Sequence, residues 1–135
     1  MKIIVDTCIW SEALRKNTPG ENKYVQELKE LIKEVRVQMI GPVRQELLSG
    51  IKSEKQFRLL KDHLRAFADL EIETEDYELA AEYYNQARQN GIQGSNTDFL
   101  ICALSRRRKM PVFTTDKDLV HFETFLPLEF HKLRT

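Results

Sequence analysis

Met1-Lys2-Ile3-Ile4-Val5-Asp6-Thr7-Cys8-Ile9-Trp10 is the stretch that decides the fold. Ile3, Ile4 and Val5 form a β-branched apolar run, which predicts a strand covered on both faces, as in a parallel sheet. Asp6 ends the run with a carboxylate, and open α/β sheets bind their ligands outside the carboxyl ends of their strands. Asp6 is equally suited to cap a following helix. The other acids must therefore decide between a structural and a functional role.

The composition limits the class of protein. With 135 residues, the chain is expected to form one domain, residues 1–135, with a core of its own. Lysine plus arginine and aspartate plus glutamate both number 21, so the formal net charge is zero. A pure phosphate-binding module is usually basic. Contact with nucleic acid would therefore need a local patch or a bound cation.

Apolar runs and cysteines indicate the compartment. No apolar run reaches the length that spans a bilayer, and the apolar start is too short for a signal peptide and contains Asp6. Cys8 and Cys102 lie in apolar runs without the paired spacing of a zinc site, and are interpreted as small buried hydrophobes in a reducing environment. We therefore expect a cytoplasmic protein with no membrane partner.

Strands and helices are predicted to alternate along the chain. Apolar runs bounded by turn residues predict further strands at residues 37–40, 70–72 and 111–115 and a last segment at 128–130. Helical spacing and capping signals predict helices at residues 9–15, 22–35, 42–48, 53–67, 74–90 and 98–104, with a loop at 17–20. This order predicts an α/β fold, a three-layer α/β/α sandwich around a parallel sheet of four to five strands.

Four acids are predicted to meet at one edge of this sheet. Asp6 and Asp116 each follow a strand directly, and the carboxyl ends of parallel strands share an edge. Glu46 lies one helical turn beyond the second strand. Asp98 opens a nearly all-apolar helix that must be buried, although a carboxylate in a first helical turn is also favoured by the helix dipole alone.

Carboxylates that share a crevice repel each other unless a proton or a cation is bound. Oxygen-only ligands select a hard cation, Mg²⁺ or Mn²⁺, and the cation lets an acidic crevice accept a phosphate. The chemistry that follows is metal-assisted hydrolysis of a phosphodiester with one or two ions. Asp6 and Asp98 are the predicted principal metal ligands, and Asp116 completes the set. Glu46 is expected to hold a second ion or to orient the attacking water.

Smaller polar groups beside these acids are predicted to support them. Thr7, Thr115 and Asn96 are placed to hydrogen-bond the carboxylates or a phosphate. Asp118 lies two residues after Asp116 and is left open as the alternative fourth acid.

Other polar features receive structural interpretations. Positive charge in the run Arg106-Arg107-Arg108-Lys109 suits the end of the buried helix, and an RNA-contacting patch is the less favoured alternative. A stripe of tyrosine and alanine on the helix at 74–90 is interpreted as core or partner surface. Most of the 21 acids are expected at the solvated surface, including Glu27, Glu30, Glu54 and Glu82.

Four short motifs occur in order along the chain: Asp6-Thr7-Cys8-Ile9-Trp10, Val43-Arg44-Gln45-Glu46-Leu47, Asn96-Thr97-Asp98-Phe99-Leu100-Ile101-Cys102-Ala103 and Thr114-Thr115-Asp116-Lys117-Asp118-Leu119. In this order and spacing the chain resembles a PIN domain, and within that family the VapC-type toxin ribonucleases of bacterial toxin–antitoxin pairs. The resemblance covers essentially the whole chain. Two departures are Leu119, where the family often has phenylalanine, and Cys102, where a small alanine is usual.

The resemblance implies a five-stranded parallel sheet between helices and an Mg²⁺- or Mn²⁺-dependent endoribonuclease acting on RNA. It also implies a homodimer and a cognate VapB-type antitoxin that blocks the site. The family's four acids correspond in order to Asp6, Glu46, Asp98 and Asp116.

Other classes fit the residues less well. A phosphorylated receiver domain would need a second acid after the first strand, where Thr7 stands, and a dehalogenase-type phosphatase would need an aspartate where Cys8 stands. A catalytically silent PIN-fold binding module would normally have lost acids that this chain keeps. A PIN-fold RNA-processing nuclease without a toxin role is the serious alternative.

Overall fold

A three-stranded parallel sheet lies at the centre of the structure, a computed structural model that describes residues 1–15 and 22–134. The strand β1 (Ile3–Val5) lies between β2 (Val37–Gln38) and β3 (Val112–Phe113). Ile3 is paired with Val37, and Val5 with Phe113. All three strands therefore end at the same edge of the sheet. The loop predicted at 17–20 lies outside the described residues.

Helices connect and cover these strands. In chain order they are α1 (Thr7–Leu14), α2 (Lys23–Lys33), α3 (Gly41–Leu48), α4 (Glu54–Leu64), α5 (Thr74–Gln89), α6 (Asn96–Arg108) and α7 (Lys117–His121), and a short 3-10 turn follows at Phe122–Thr124. The α/β class and the parallel sheet are as predicted. Among the described residues, no helix is long and apolar enough to cross a membrane.

The first strand is buried as its sequence predicts. Ile3, Ile4 and Val5 are at most 1% exposed, so side chains on both faces of β1 are covered. A strand with two covered faces requires packed elements on each side of the sheet. Burial also explains why the short strand can hold a carboxylate in a fixed position at its end.

The sheet has fewer strands than the four to five predicted. At residues 70–72 and 128–130 the described chain forms single parallel bridges, Met39 with Asp69 and Val112 with Phe130, in place of strands. The second and fourth strands are also shorter than predicted. Beyond the first bridge, at Asp69, the Glu71 carbonyl accepts a hydrogen bond from Arg108 over 3.1 Å.

Two helix starts differ from their predictions for reasons of capping. The helix α1 begins at Thr7, two residues before the predicted start, because the Asp6 carboxylate accepts the Thr7 N–H over 2.8 Å. The helix α5 is capped by Glu73, with Asp76 accepting the Glu73 N–H over 2.7 Å. The tyrosine predicted to begin the α5 stripe, Tyr77, is 55% exposed.

The helix α6 is buried on nearly all sides, as its composition predicts. Residues Phe99 to Ser105 are all buried, and α6 packs most extensively against α5. Phe99 stacks on Phe122 with ring centroids 4.9 Å apart. Gly94, just before the helix, has no room for a side chain, since a Cβ there would lie 2.6 Å from Phe122. These contacts fix where α6 begins, and therefore where Asp98 lies.

Candidate active site

Asp6 acts both as a helix cap and as a member of an acid cluster. Its carboxylate accepts the Thr7 N–H over 2.8 Å and the Thr114 hydroxyl over 2.8 Å, and the Cys8 thiol lies 3.5 Å away. Asp6 is only 5% exposed. Burial raises the pKa of Asp6, the hydrogen bonds oppose this rise, and the charge of Asp116 adds to it. The two roles considered for Asp6 are therefore combined in one side chain.

Asp98 likewise combines two roles. It forms a capping box with Ser95: the Ser95 N–H donates to the Asp98 carboxylate, and the Asp98 N–H to the Ser95 hydroxyl, both over 3.1 Å. A carboxylate used only as a cap is usually solvated and ionised easily. The pKa of Asp98 is instead raised, first by burial and then by the charges of Asp6 and Asp116, against the hydrogen bonds from Ser95. Asp6, Asp98 and Asp116 thus lie within electrostatic range of one another.

Asp116 caps α7 from the end of the turn that follows β3. Its carboxylate accepts the Asp118 N–H over 2.9 Å, and its own N–H donates to the Thr114 hydroxyl over 2.9 Å. The charge of Asp116 contributes to the raised pKa of Asp6 and of Asp98. Asp118 is exposed in the first turn of α7. The arrangement favours Asp116 as the fourth acid.

Glu46 joins the cluster through Thr7. The Thr7 hydroxyl donates to the Glu46 carboxylate over 2.5 Å, so the residue after Asp6 connects α1 to α3. Glu46 is exposed, in contrast to the buried Asp6. It therefore lies at the solvent side of the site, where a group that binds or orients water would be needed.

Two residues that support the cluster were not predicted to do so. The Thr114 hydroxyl, and not that of Thr115, reaches the Asp6 carboxylate. Thr115 contacts Cys8 instead, through its N–H and its hydroxyl, each 3.4 Å from the sulfur. The period of two in an extended chain places Thr114 and Asp116 on the same side, which was the available signal. Cys8 is half-buried and packs against the hydrophobic core, as its interpretation predicts in part, but its sulfur also contacts the polar groups of the site.

Asn96 lies at the start of α6, beside Asp98, and is exposed. It lines a groove of about 790 Å³ between α3, α5 and α6, together with Gln45, the neighbour of Glu46. Uncharged side chains also line this groove, among them Tyr77, Tyr84, Asn85 and Thr97. None of the four acids lines the described part of this groove, although Gln45 and Thr97 are sequence neighbours of Glu46 and Asp98.

The acids suit a hard divalent ion by their chemistry. Within residues 1–15 and 22–134, no three histidine, cysteine, aspartate or glutamate side chains form a group that could hold an ion as they stand. The donors are nevertheless oxygen atoms only, which is the ligand type that Mg²⁺ and Mn²⁺ prefer. Two of the carboxyls are held in surroundings that disfavour their charge, and a cation would relieve this cost.

The basic run at 106–109 and Glu27 make contacts that the sequence did not predict. Arg107 and Arg108 lie at the end of α6 as predicted, but both also donate to the fully buried Asp76, over 2.5 and 2.6 Å. Glu27, expected at the surface, is 7% exposed and accepts hydrogen bonds from Arg134 and His131. Asp76 and Glu27 are thus each paired with arginine from a distant part of the chain.

Comparison with known proteins places this arrangement in a family. The fold and the site of this chain together define a class of α/β proteins in which acids cluster beyond the ends of parallel strands. The chain belongs to the PIN domain family, whose profile matches residues 3–124. PIN domains are in general nucleases. No curated protein matches the chain by sequence.

Solved structures share the fold over nearly the whole chain. FitAcB from Neisseria gonorrhoeae has a TM-score of 0.74 at 24% identity, covering 96% of each chain. VapBC2 from Rickettsia felis, bound to a DNA fragment from its promoter, has a TM-score of 0.76 at 20% identity, covering 97% of this chain and 98% of that one. VapBC-1 from nontypeable Haemophilus influenzae has a TM-score of 0.75 at 13% identity, covering 100% of both.

Proposed function

We propose that the chain is a metal-dependent endoribonuclease that hydrolyses phosphodiester bonds in RNA. The observation that carries the proposal is the mutual electrostatic interaction of Asp6, Asp98 and Asp116 at the edge where the strands end. Family membership supports the nuclease class. A neutral protein with such an acidic site needs a cation before it can accept a polyanion.

Each side chain has a part in this proposal. Asp6, Asp98 and Asp116 would hold Mg²⁺ or Mn²⁺. The ion would lower the pKa of a bound water and would neutralise charge on the phosphoryl oxygens. Glu46, at the solvent side, would orient the attacking water or help to hold a second ion. Thr7 holds Glu46 in place, and Thr114 holds Asp6.

Residues around the acids complete the proposed site. Asn96 is placed to hydrogen-bond a phosphate or base that lies in the groove between α3, α5 and α6. Thr115 acts through Cys8 rather than through a carboxylate. Asp118 contributes its N–H to Asp116, and its exposed carboxylate is a lesser candidate for the site.

We further propose that the nuclease is the toxin of a type II toxin–antitoxin pair. The similar structures named above are FitAcB and VapBC assemblies, which supports an antitoxin partner of the VapB type. A cytoplasmic homodimer in which residues 1–135 form one domain belongs to the same proposal. Single-stranded loops are the expected substrate, because their bases are accessible.

Cleavage of RNA by the purified chain tests the nuclease proposal. Wild-type protein with Mg²⁺ or Mn²⁺ should cleave a single-stranded RNA, and EDTA should abolish cleavage. Asp6→Asn and Asp98→Asn should reduce the rate by at least about 100-fold, because each removes a charge that holds the ion. Asp62→Asn, an exposed aspartate of α4, is the matched control and should retain the wild-type rate. Full activity of both site variants would exclude the proposed mechanism.

Co-expression with a small protein encoded beside the chain tests the toxin role. Expression of the wild-type chain alone should arrest growth, the partner should relieve the arrest, and Asp6→Asn should be harmless. RNA cleavage in vitro without growth arrest would instead support an RNA-processing nuclease with this fold.

A further inference from the structure

Cys8 lies where two distant segments of the chain meet at the acids. The Thr115 N–H and the Thr115 hydroxyl each donate to its sulfur over 3.4 Å, across 107 positions of sequence. The Thr114 hydroxyl lies 3.4 Å and the Asp6 carboxylate 3.5 Å from the same sulfur. One thiol therefore contacts the first turn of α1 and the turn that carries Asp116.

The proton positions give the thiol a defined role. Thr114 has one hydroxyl proton, which it donates to Asp6 over the shorter distance of 2.8 Å. The thiol proton is then directed to the Asp6 carboxylate or to the Thr114 oxygen, while the sulfur accepts from Thr115. In the first case the thiol links Asp6 to the turn 114–116 directly, and in the second it links the first turn of α1 to that turn beside the Thr114–Asp6 hydrogen bond. Groups that orient the ligands of a metal in this way commonly change metal affinity or activity 10–100-fold when they are removed.

We propose that Cys8 is a positioning residue of the active site: its thiol ties Asp6 to the turn carrying Asp116 and fixes their relative placement. The inference rests on the proposed function, because it concerns the same acids. It assigns a role to a residue that the sequence presents as a core cysteine. Cys8 acts through Asp6 and the 114–116 turn and is not assigned any contact with substrate.

The surroundings explain why this position depends on hydrogen bonding more than on volume. Cys8 is half-buried, whereas the other cysteine, Cys102, is fully buried in α6. Thr115 is exposed, so without the sulfur its N–H and hydroxyl would turn to water. The turn would then lose a link to α1, and the loss of core contact is the same for alanine at this position whether or not the link matters, which is why the serine variant is needed. A serine keeps a donor and an acceptor at this point, and an alanine keeps neither.

Three variants separate positioning from packing. Cys8→Ala removes the link, Cys8→Ser restores it, and Ser105→Ala is the control that removes a buried polar atom of α6 bonded away from the acids, to the Met110 carbonyl. For each purified full chain we would measure the rise in melting temperature on titration with Mn²⁺, the RNA cleavage rate as a function of Mn²⁺, and the melting temperature in EDTA. The Mn²⁺ concentration for half the maximal effect is the quantity that a purely structural role would not move.

We expect Cys8→Ala to raise the half-maximal Mn²⁺ concentration about 10–100-fold in both measurements. Cys8→Ser should stay within about threefold of wild type, and Ser105→Ala should keep the wild-type value whatever its melting temperature in EDTA. A wild-type Mn²⁺ midpoint for Cys8→Ala would overturn the inference, as would equal midpoints for the alanine and serine variants.

The same measurements distinguish failure of the inference from failure of the proposed function. If wild-type protein binds Mn²⁺ but does not cleave RNA, the nuclease proposal fails, and the thermal midpoints still decide the role of Cys8. If wild-type protein shows no Mn²⁺-induced rise in melting temperature, both proposals are overturned.

Discussion

At the scale of single residues, three of the proposed site acids also cap helices. Asp6 caps α1, Asp98 forms a capping box with Ser95, and Asp116 caps α7. Each carboxylate is thereby held at a helix N-terminus, where the helix dipole partly offsets its charge. Capping alone does not account for the raised pKa of Asp6 and Asp98, which reflects burial and the neighbouring acids.

Asp98→Asn tests this charge conflict in the metal-free protein. The amide oxygen can still accept the Ser95 N–H, so the cap is kept while a disfavoured charge is removed. We expect the melting temperature in EDTA at neutral pH to rise by at least about 2 °C. The control Asp62→Asn should leave it unchanged. A lower melting temperature for Asp98→Asn would contradict the charge conflict.

The gain in melting temperature of Asp98→Asn over wild type should depend on pH in a definite direction. The pKa of Asp98 is raised above its ordinary 3.8 in the folded state. Between the ordinary and the raised value the folded state binds more protons than the unfolded state. The free energy of unfolding of the wild type therefore falls as pH rises through this range. The advantage of Asp98→Asn should therefore be largest above the raised pKa and disappear below about pH 3.8. Thermal unfolding in EDTA at several pH values measures it. An advantage that grew towards acid pH would contradict the sign.

Gly94 provides a second prediction at this scale. A methyl group there would overlap Phe122 and press on Phe99, at 2.6 and 3.0 Å, and both rings belong to the buried core. Gly94→Ala should destabilise the protein by about 1–3 kcal/mol. Urea unfolding followed by circular dichroism measures this, and Gly41→Ala is the control because a Cβ at Gly41 meets no atom within 4 Å. Equal stability of the two variants would contradict the close contact.

At the scale of elements, the packing of α5 against α6 depends on a buried ion cluster. Asp76 is fully buried at the start of α5 and binds Arg107 and Arg108 from the end of α6. Burial disfavours its charge, but the Glu73 N–H and the two arginines outweigh this and lower the pKa of Asp76. The basic run therefore has a partner within the fold in addition to the helix dipole.

Removal of Asp76 should be costly because it leaves its arginine partners without their buried acid. We expect Asp76→Ala to lower the free energy of unfolding by about 3–5 kcal/mol. Arg58→Ala is the matched control, because it breaks an ion pair within α4 between Arg58, 64% exposed, and Glu54, 85% exposed. It should change the free energy of unfolding by less than about 0.5 kcal/mol. Similar losses for both variants in urea unfolding would mean that the cluster is no stronger than a surface pair.

At the scale of the whole molecule, the C-terminal segment packs against the sheet and α2. Phe130 bridges to Val112, while His131 and Arg134 donate to Glu27 over 2.6 and 2.8 Å. Burial acts against the charge of Glu27, but its hydrogen bonds to Arg134 and His131 prevail and lower its pKa. The last described residues are thus attached to the strand that leads to Thr114 and Asp116.

Glu27→Gln tests this attachment through its pH dependence. A lowered folded pKa means that Glu27 stabilises the fold fully above its ordinary 4.5, and that this contribution is lost as pH falls through the folded value. The variant should therefore melt below wild type at neutral pH, and the difference should shrink in acid. Glu30→Gln, which alters an exposed pair with Lys33, is the control and should show little difference at any pH. A constant deficit for Glu27→Gln across this range would contradict an ionic attachment.

The parallel α/β fold and the buried first strand were predictable from the sequence, and so was the electrostatic proximity of Asp6, Asp98 and Asp116. The physical reason is that these signals are local: a β-branched run, apolar spacing along α6, and caps within three residues of each helix start. The count of four to five strands did not follow, because the extent of pairing is decided between separate segments of the chain, and Asp69 and Phe130 each form only a single bridge.

Only the tertiary structure decided which side chains support the acids. The sequence placed Glu27 correctly in a helix but gave it to the solvent, and it gave Cys8 a core role without the polar contacts that the sulfur makes. Their partners, Thr115 and Arg134, are each 107 positions away. Contacts over such separations are set by how strands and helices pack together, and no local spacing encodes them.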